Sequence, residues 1–141
     1  MYAGMWTFFL ALLLDLANFS YTNDFWRRHV DYPKSIPKEG ENNYCTWMMK
    51  RRGMVWGSKC VQGNTFIHEK NSTIENICNR TPRPCINHRN HYCYTSVRPF
   101  SLSDCFLERG SHPPHCNYWM SVQSRKINVF CQSELPVHLE D

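Results

Sequence analysis

Several absences narrow the reading of this sequence. Its eight cysteines include no C-x-x-C pair. That removes zinc-ribbon and thioredoxin-like sites, both of which need two thiols on one tight turn. There is no internal repeat and no low-complexity tract, which removes solenoids and compositionally disordered chains. The longest apolar run, Met5 to Leu14, is ten residues. A bilayer needs about 20, so no spanning helix is expected there. Residues 1–22 contain no Lys or Arg and no clean A-x-A pattern. The 141 residues suffice for one domain, and no composition shift marks a second.

The apolar run has the length of a secretory h-region and is closed by Asp15. Residues 1–22 are therefore expected to be a signal peptide, cut between Ala17 and Thr22, with one domain over 23–141. A buried N-terminal helix is the competing reading; Asp15 and Asn18 interrupt its face. Removing residues 1–22 removes one acid and no base, leaving 16 basic against 11 acidic residues, net +5. That balance suits polyanions such as RNA, glycosaminoglycan or an anionic surface, and is also common in secreted proteins with no such role. Cys45, Cys60, Cys78, Cys85, Cys93, Cys105, Cys116 and Cys131 are even in number. Behind a signal-like segment they imply four disulfides and an oxidising, extracellular compartment. Spacing alone leaves 105 pairings open.

Asn23 or Asp24 can cap a short helix over residues 25–30, with Phe25 and His29 on one face. Residues 34–43 are polar with Pro and Gly and read as a flexible loop. Residues 44–52 read as a second helix with Trp47 and Met48 on one face, Lys50 to Arg52 at its C-terminal end and Gly53 as its stop. The run Asn64-Thr65-Phe66-Ile67 reads as a strand. A third helix is expected over 70–78, with Ile74, Ile77 and Cys78 inward and Ser72 and Glu75 at capping-box spacing. The pattern then changes to period two. Strands are expected over 92–97, 100–107, 118–123, 126–132 and 136–139, broken by Pro99, by Gly110 with Pro113-Pro114, and by Ser124-Arg125. Helices early and strands late make an α+β domain. Asn71-Ser72-Thr73 and Asn79-Arg80-Thr81 are glycosylation sequons.

Three motifs and the order of the cysteines make the chain from Phe25 onward resemble the pancreatic-type ribonuclease (RNase A) superfamily. Phe25-x-x-x-His29 looks like that family's N-terminal helix with its first catalytic histidine. Cys60-x-x-x-Asn64-Thr65-Phe66 matches the signature C-K-x-x-N-T-F except at Val61. Pro136-Val137-His138 looks like the C-terminal strand with the second histidine. The resemblance implies an α+β fold of three helices and a twisted antiparallel sheet, with a cleft between two sheets. It implies pairing of Cys45 with Cys105, Cys60 with Cys116, Cys78 with Cys131 and Cys85 with Cys93. In active members one histidine takes the proton from the ribose 2′-OH and the other protonates the leaving 5′-oxygen. Two imidazoles suit this because their pKa values lie near neutrality. A lysine steadies the charge that develops on phosphorus. By position His29 is the proton acceptor and His138 the proton donor, while Asn64 and the pyrimidine-reading Thr65 bind substrate.

The departures matter as much. Val61 replaces the lysine and carries no charge. Arg28 replaces a glutamine, Leu139 a phenylalanine that packs on the base, and Tyr92 an asparagine for a second base; the Cys85–Cys93 loop is one residue longer. Similar lesions, and a similar stretch from His29 to Pro33, occur in ribonuclease-like, inactive branches of the male reproductive tract. Arg28 and Lys59 are the candidate replacements for the lysine. Both are expected to point away, Arg28 by helical spacing and Lys59 by strand alternation against Cys60.

The expectation is a secreted, monomeric ribonuclease-like protein with little or no RNA-cleaving activity and weak binding of RNA or other polyanions. It is expected to use no cofactor and not to insert stably into membranes. The alternatives are a low-activity pyrimidine-preferring endoribonuclease and a cationic host-defence protein, the latter disfavoured by the low charge. His88-x-x-His91 and His112-x-x-His115-Cys116 have metal-like spacing, but Cys116 belongs to the disulfide set and the histidines to loops, so no metal is expected. His68 reads as structural. Lys50 to Arg52, and Arg80 with Arg83, read as solvated element ends or as phosphate contacts. Trp26, Trp47, Trp56 and Trp119 read as packing residues; a base-stacking platform would need aromatic rings side by side.

Overall fold

The computed structural model describes residues 24–38, 40–87 and 91–140. The signal peptide, the cap at Asn23 and the histidine at 88 lie outside them. Helix α1 covers residues 24–29, so Asp24 sits in its first turn, paired with Arg27 at 2.6 Å. Helix α2 is Tyr44–Arg51, entered through a 3-10 turn at Glu41–Asn43, and α3 is Asn71–Glu75, continued by a 3-10 turn at Asn76–Asn79. The strands are β1 Val55–Trp56, β2 Lys59–Cys60, β3 Gly63–Ile67, β4 Arg83–Pro84, β5 Tyr92–Thr95, β6 Phe100–Leu107, β7 Tyr118–Arg125, β8 Asn128–Gln132 and β9 Leu135–Glu140.

The strands form a β1-β2 hairpin, a sheet ordered β3-β6-β7 and a sheet ordered β4-β5-β8-β9. Every pairing between named strands is antiparallel. The four disulfides join Cys45 to Cys105, Cys60 to Cys116, Cys78 to Cys131 and Cys85 to Cys93.

Two apolar clusters hold the elements. The first packs Tyr44, Met48 and Met49 of α2 on Phe66, Cys105 and Tyr118 of the three-stranded sheet. The second gathers Phe25 of α1, Ile74 and Ile77 of the α3 segment, Ile67, Phe100 and Leu102 of the first sheet and Val129 of the second. Gly53 ends α2 with φ +80°, donating its N–H to the Lys50 carbonyl. A side chain there would be strained by the backbone and would meet the Arg27 guanidinium.

Two expectations fail locally. The capping box at Ser72 and Glu75 does not form: α3 starts at Asn71 with Lys70 as its cap and no side-chain cap bond. Strand β7 runs through Ser124-Arg125, where a break was expected. Arg125 opposes Phe100 in register and its guanidinium bonds the Asp104 carboxylate, so side-chain pairing carries the strand on.

Short α1 would not hold as an isolated helix. Arg52 holds it instead, donating to the carbonyls of Trp26, Arg27 and Val30 at 2.8 to 3.3 Å. These carbonyls lie at a helix end, where a cation is favoured; that of Trp26 also accepts the Val30 N–H. Arg27 donates in return to the Arg52 carbonyl. Next to α1, Asp31 is buried and accepts bonds from the Tyr44 hydroxyl at 2.6 Å and from the Ser35 amide and hydroxyl. Burial alone would raise its pKa; these hydrogen bonds outweigh burial and hold it lowered. Tyr44→Phe removes the strongest partner of a buried charge and is expected to cost about 2 kcal/mol. The check is the urea midpoint at constant slope; an unmoved midpoint would mean that Ser35 and Arg52 suffice.

Candidate functional site

A cleft of about 440 Å³ lies between α1, the three-stranded sheet and β9. It is lined by Arg28 and His29 of α1, Gly63, Asn64 and Thr65 of β3, Asp104 and Phe106 of β6, Arg125 of β7, and Val137, His138 and Leu139 of β9. The residues singled out at positions 29, 64, 65 and 138, far apart in the sequence, therefore meet in one depression. Val61 does not line it.

His29 is placed by α1 and by the tilted Phe25 ring four residues before it, 5.2 Å away. Its Nδ1 stands 3.0 Å from the Thr65 carbonyl oxygen. A carbonyl only accepts, so Nδ1 carries hydrogen and Nε2 is the acceptor of the neutral ring. Burial pushes the pKa of His29 down to about 4, reinforced by Arg28 and His138 and opposed by the Thr65 bond and Asp24. The ring is neutral at pH 7. His138 is exposed, and its ring stacks on Phe130 with centroids 5.9 Å apart and planes 14° apart. It borders both the cleft and a smaller recess beside Cys85, His91 and Glu140.

Thr65 and Asn64 are held from opposite sides. The Thr65 hydroxyl donates to Asp104 Oδ1 at 2.7 Å, and the same carboxylate takes two bonds from the Arg125 guanidinium, the shorter at 2.7 Å. Asn64 Nδ2 donates to the Arg28 carbonyl at 2.7 Å, fixing α1 to β3. The backbone of Val61 is pinned without help from its side chain. Its N–H donates to the Met54 carbonyl at 3.1 Å, its carbonyl accepts the Tyr118 hydroxyl at 2.6 Å, and Cys60 is bridged to Cys116. The Val61 side chain packs against the first apolar cluster.

Other expectations can be placed. Arg28 lines the cleft although helical spacing sets it apart from His29. Lys59 is exposed and Cys60 buried, as strand alternation requires. His68 is structural, bonded to the Asp31 carbonyl and the Ser103 hydroxyl, each at 2.8 Å. Leu139 is on the cleft wall and Tyr92 is exposed. The sequon residues Asn71 and Asn79 are both exposed. His112 and His115 close a tight turn through an isolated bridge. Among the described residues no three His, Cys, Asp or Glu side chains gather as a metal site. No helix of the described residues is long and apolar enough to cross a membrane.

The family model for pancreatic ribonuclease matches residues 20–140. The chain belongs to the pancreatic ribonuclease family. The delta-type pancreatic ribonuclease of Rattus exulans is 37% identical over 119 residues, covering 83% of this chain and 77% of that protein. A ribonuclease of Chelonia mydas is 35% identical over 116 residues, covering 82% of this chain and 92% of that one. The crystal structure of green turtle egg white ribonuclease matches with a TM-score of 0.73 and 34% identity, covering 86% of this chain and 97% of that one. The ribonuclease fold and its four disulfides are thus present, and the disulfides fit an extracellular protein.

Within this cleft, sequence reasoning passed over three residues. Asp104 and Arg125 flank Thr65, and Phe106 forms part of the wall. Asp104 stood on a predicted period-two strand, but only the register that sets it opposite Thr65 reveals the pair.

Proposed function

We propose that this member of the pancreatic ribonuclease family is a secreted, monomeric protein that binds single-stranded RNA in the cleft and cleaves it very slowly or not at all. One observation carries the reading: among the described residues no lysine lines the cleft, and Val61, which stands at the signature's lysine, directs its side chain to the apolar cluster. The cations that do line it are engaged: Arg125 with Asp104, and Arg28 within 3.8 Å of Asp24. Losing one oxyanion donor costs about 10²–10³ in rate, and a cation at a phosphoryl group is worth no less. The lowered pKa of His29 adds to the loss, because a base far below the working pH takes a proton weakly. The departures at Arg28, Tyr92 and Leu139 support placement near the inactive, reproductive-tract type of ribonuclease-like protein. The exposed Asn71 and Asn79 are proposed glycosylation sites.

Base recognition follows from Thr65. Its hydroxyl donates to Asp104, so toward a ligand that oxygen accepts. It favours a base edge that presents an N–H, as uracil does.

The presence of Arg28 on the wall favours a second reading, a low-activity endoribonuclease. In that reaction His29 Nε2 takes the 2′-OH proton, the 2′-oxygen attacks phosphorus, and His138 gives a proton to the departing 5′-oxygen, leaving a 2′,3′-cyclic phosphate. The experiment is incubation of the folded chain with a pyrimidine-rich fluorogenic RNA, with binding measured in parallel. Binding that weakens with salt and no cleavage above background is the expected result. Cleavage that His138→Ala abolishes would establish the second reading instead.

A further inference from the structure

The cleft does not end at Thr65. On the same face of the three-stranded sheet, two residues beyond Asp104, stands Phe106, and opposite it in register on β7 is Trp119. The two rings stack with centroids 4.5 Å apart and planes 27° apart. They are 39% and 51% exposed, although the other face of the same strands is buried under α2. A cross-strand aromatic pair steadies a sheet by only about 0.2–1 kcal/mol, which does not account for leaving two large rings in water at the rim of a cleft. Gly63, opposite Phe106, has no side chain to cover the Phe106 ring.

We propose that the Phe106–Trp119 stack is a base-stacking subsite that holds a nucleotide of single-stranded RNA flanking the one at Thr65. The inference rests on the RNA-binding reading of the cleft and extends it. Two features select this occupant. Phe106 lines the same cleft as Thr65 and His29, so the surface is continuous with the base site. The step from Asp104 to Phe106 along an extended strand is about 7 Å, comparable to one nucleotide of an extended chain. Stacking is tolerant of sequence, because every base offers a π-face. The subsite therefore adds affinity without adding base preference, and without the salt dependence that a phosphate contact brings.

The test uses 2′-O-methyl oligouridylates, which lack the nucleophile and cannot be cleaved. Binding of the dinucleotide and the tetranucleotide is followed by fluorescence anisotropy. Base-on-aromatic stacking is worth about 1–3 kcal/mol, or roughly 5- to 150-fold in Kd. Trp119→Ala is expected to weaken the tetranucleotide about tenfold, with the dinucleotide and the salt slope unchanged, and Trp119→Phe to keep most of the affinity. A tetranucleotide abasic at the flanking position should bind wild type as the intact one binds Trp119→Ala, with no further loss when both changes are combined. Equal losses for both oligonucleotides, or no loss for either, would overturn the subsite while leaving RNA binding in the cleft intact. If wild type binds neither oligonucleotide, the RNA-binding reading fails and the subsite with it.

Discussion

Val61→Lys is expected to raise the rate of RNA cleavage by about 10²–10³, and Val61→Lys/His138→Ala to lose that gain. The substitution needs no backbone change. The segment is fixed by the Met54 carbonyl, the Tyr118 hydroxyl and the Cys60–Cys116 bridge, none of which involves the Val61 side chain. Asn64 and Thr65, three and four positions on, are already on the cleft, so a four-carbon stem with a cationic end has a short distance to cover. The valine is only partly buried against its cluster, and losing that contact costs on the order of 1 kcal/mol. The assay is turnover of a fluorogenic pyrimidine RNA by the single and double variants. A silent Val61→Lys would show that the missing cation is not the main lesion, and would move attention to the weak base at His29 and to Leu139.

Between pH 6.5 and 4 the fold is expected to lose roughly 3 kcal/mol of stability through His29 alone. The direction follows from proton binding. In the unfolded chain the imidazole titrates near 6.5; in the fold burial lowers it to about 4. Between those values the unfolded state holds the proton and the folded state does not, so stability rises with pH. It is fully present above 6.5, falls as pH falls to about 4, and changes no further from this group below that. His68, lowered chiefly by its burial, adds a loss of the same sign. Asp31, also lowered, adds another on further acidification. Urea unfolding at pH 7.5, 5.5 and 4 measures the slope. His29→Asn keeps a donor for the Thr65 carbonyl but does not titrate, so it should flatten the curve in this window; an unchanged curve would mean that His29 is not the group responsible.

The helices, the long strands and the disulfide set were legible because their signals are local or motif-bound. Phe25 and His29 share a helix face at any packing, and β6 falls where the period-two pattern placed it. What escaped was set by register and reach. The two-residue strands β1, β2 and β4 have no period to read and exist because partners align them. Asp104 becomes a partner of Thr65 only once β3 and β6 are paired. Asp31 had no role assigned in the sequence, and Arg52 looked like a solvated helix end. Both proved to be tertiary: one gathers Tyr44 and Ser35 in the interior, the other holds the end of α1. Trp119 was read as packing, and its stacking on Phe106 appears only across two strands far apart in sequence.

The disulfides divide into two sets. Cys45–Cys105 and Cys60–Cys116 brace the three-stranded sheet with α2 and β2; Cys78–Cys131 and Cys85–Cys93 brace the four-stranded sheet. No bridge crosses from one sheet to the other. Where the chain passes between them, Ser96 and Ile127 clasp each other, amide to carbonyl at 2.9 Å and amide to hydroxyl at 3.0 Å. Mechanically these are two covalently stiffened plates joined by apolar contact between them. His29 rides on the first plate through its bond to Thr65, and His138 on the second through β9. The gap between the two imidazoles is therefore set by packing across the second apolar cluster and by backbone hydrogen bonds, with no disulfide fixing it.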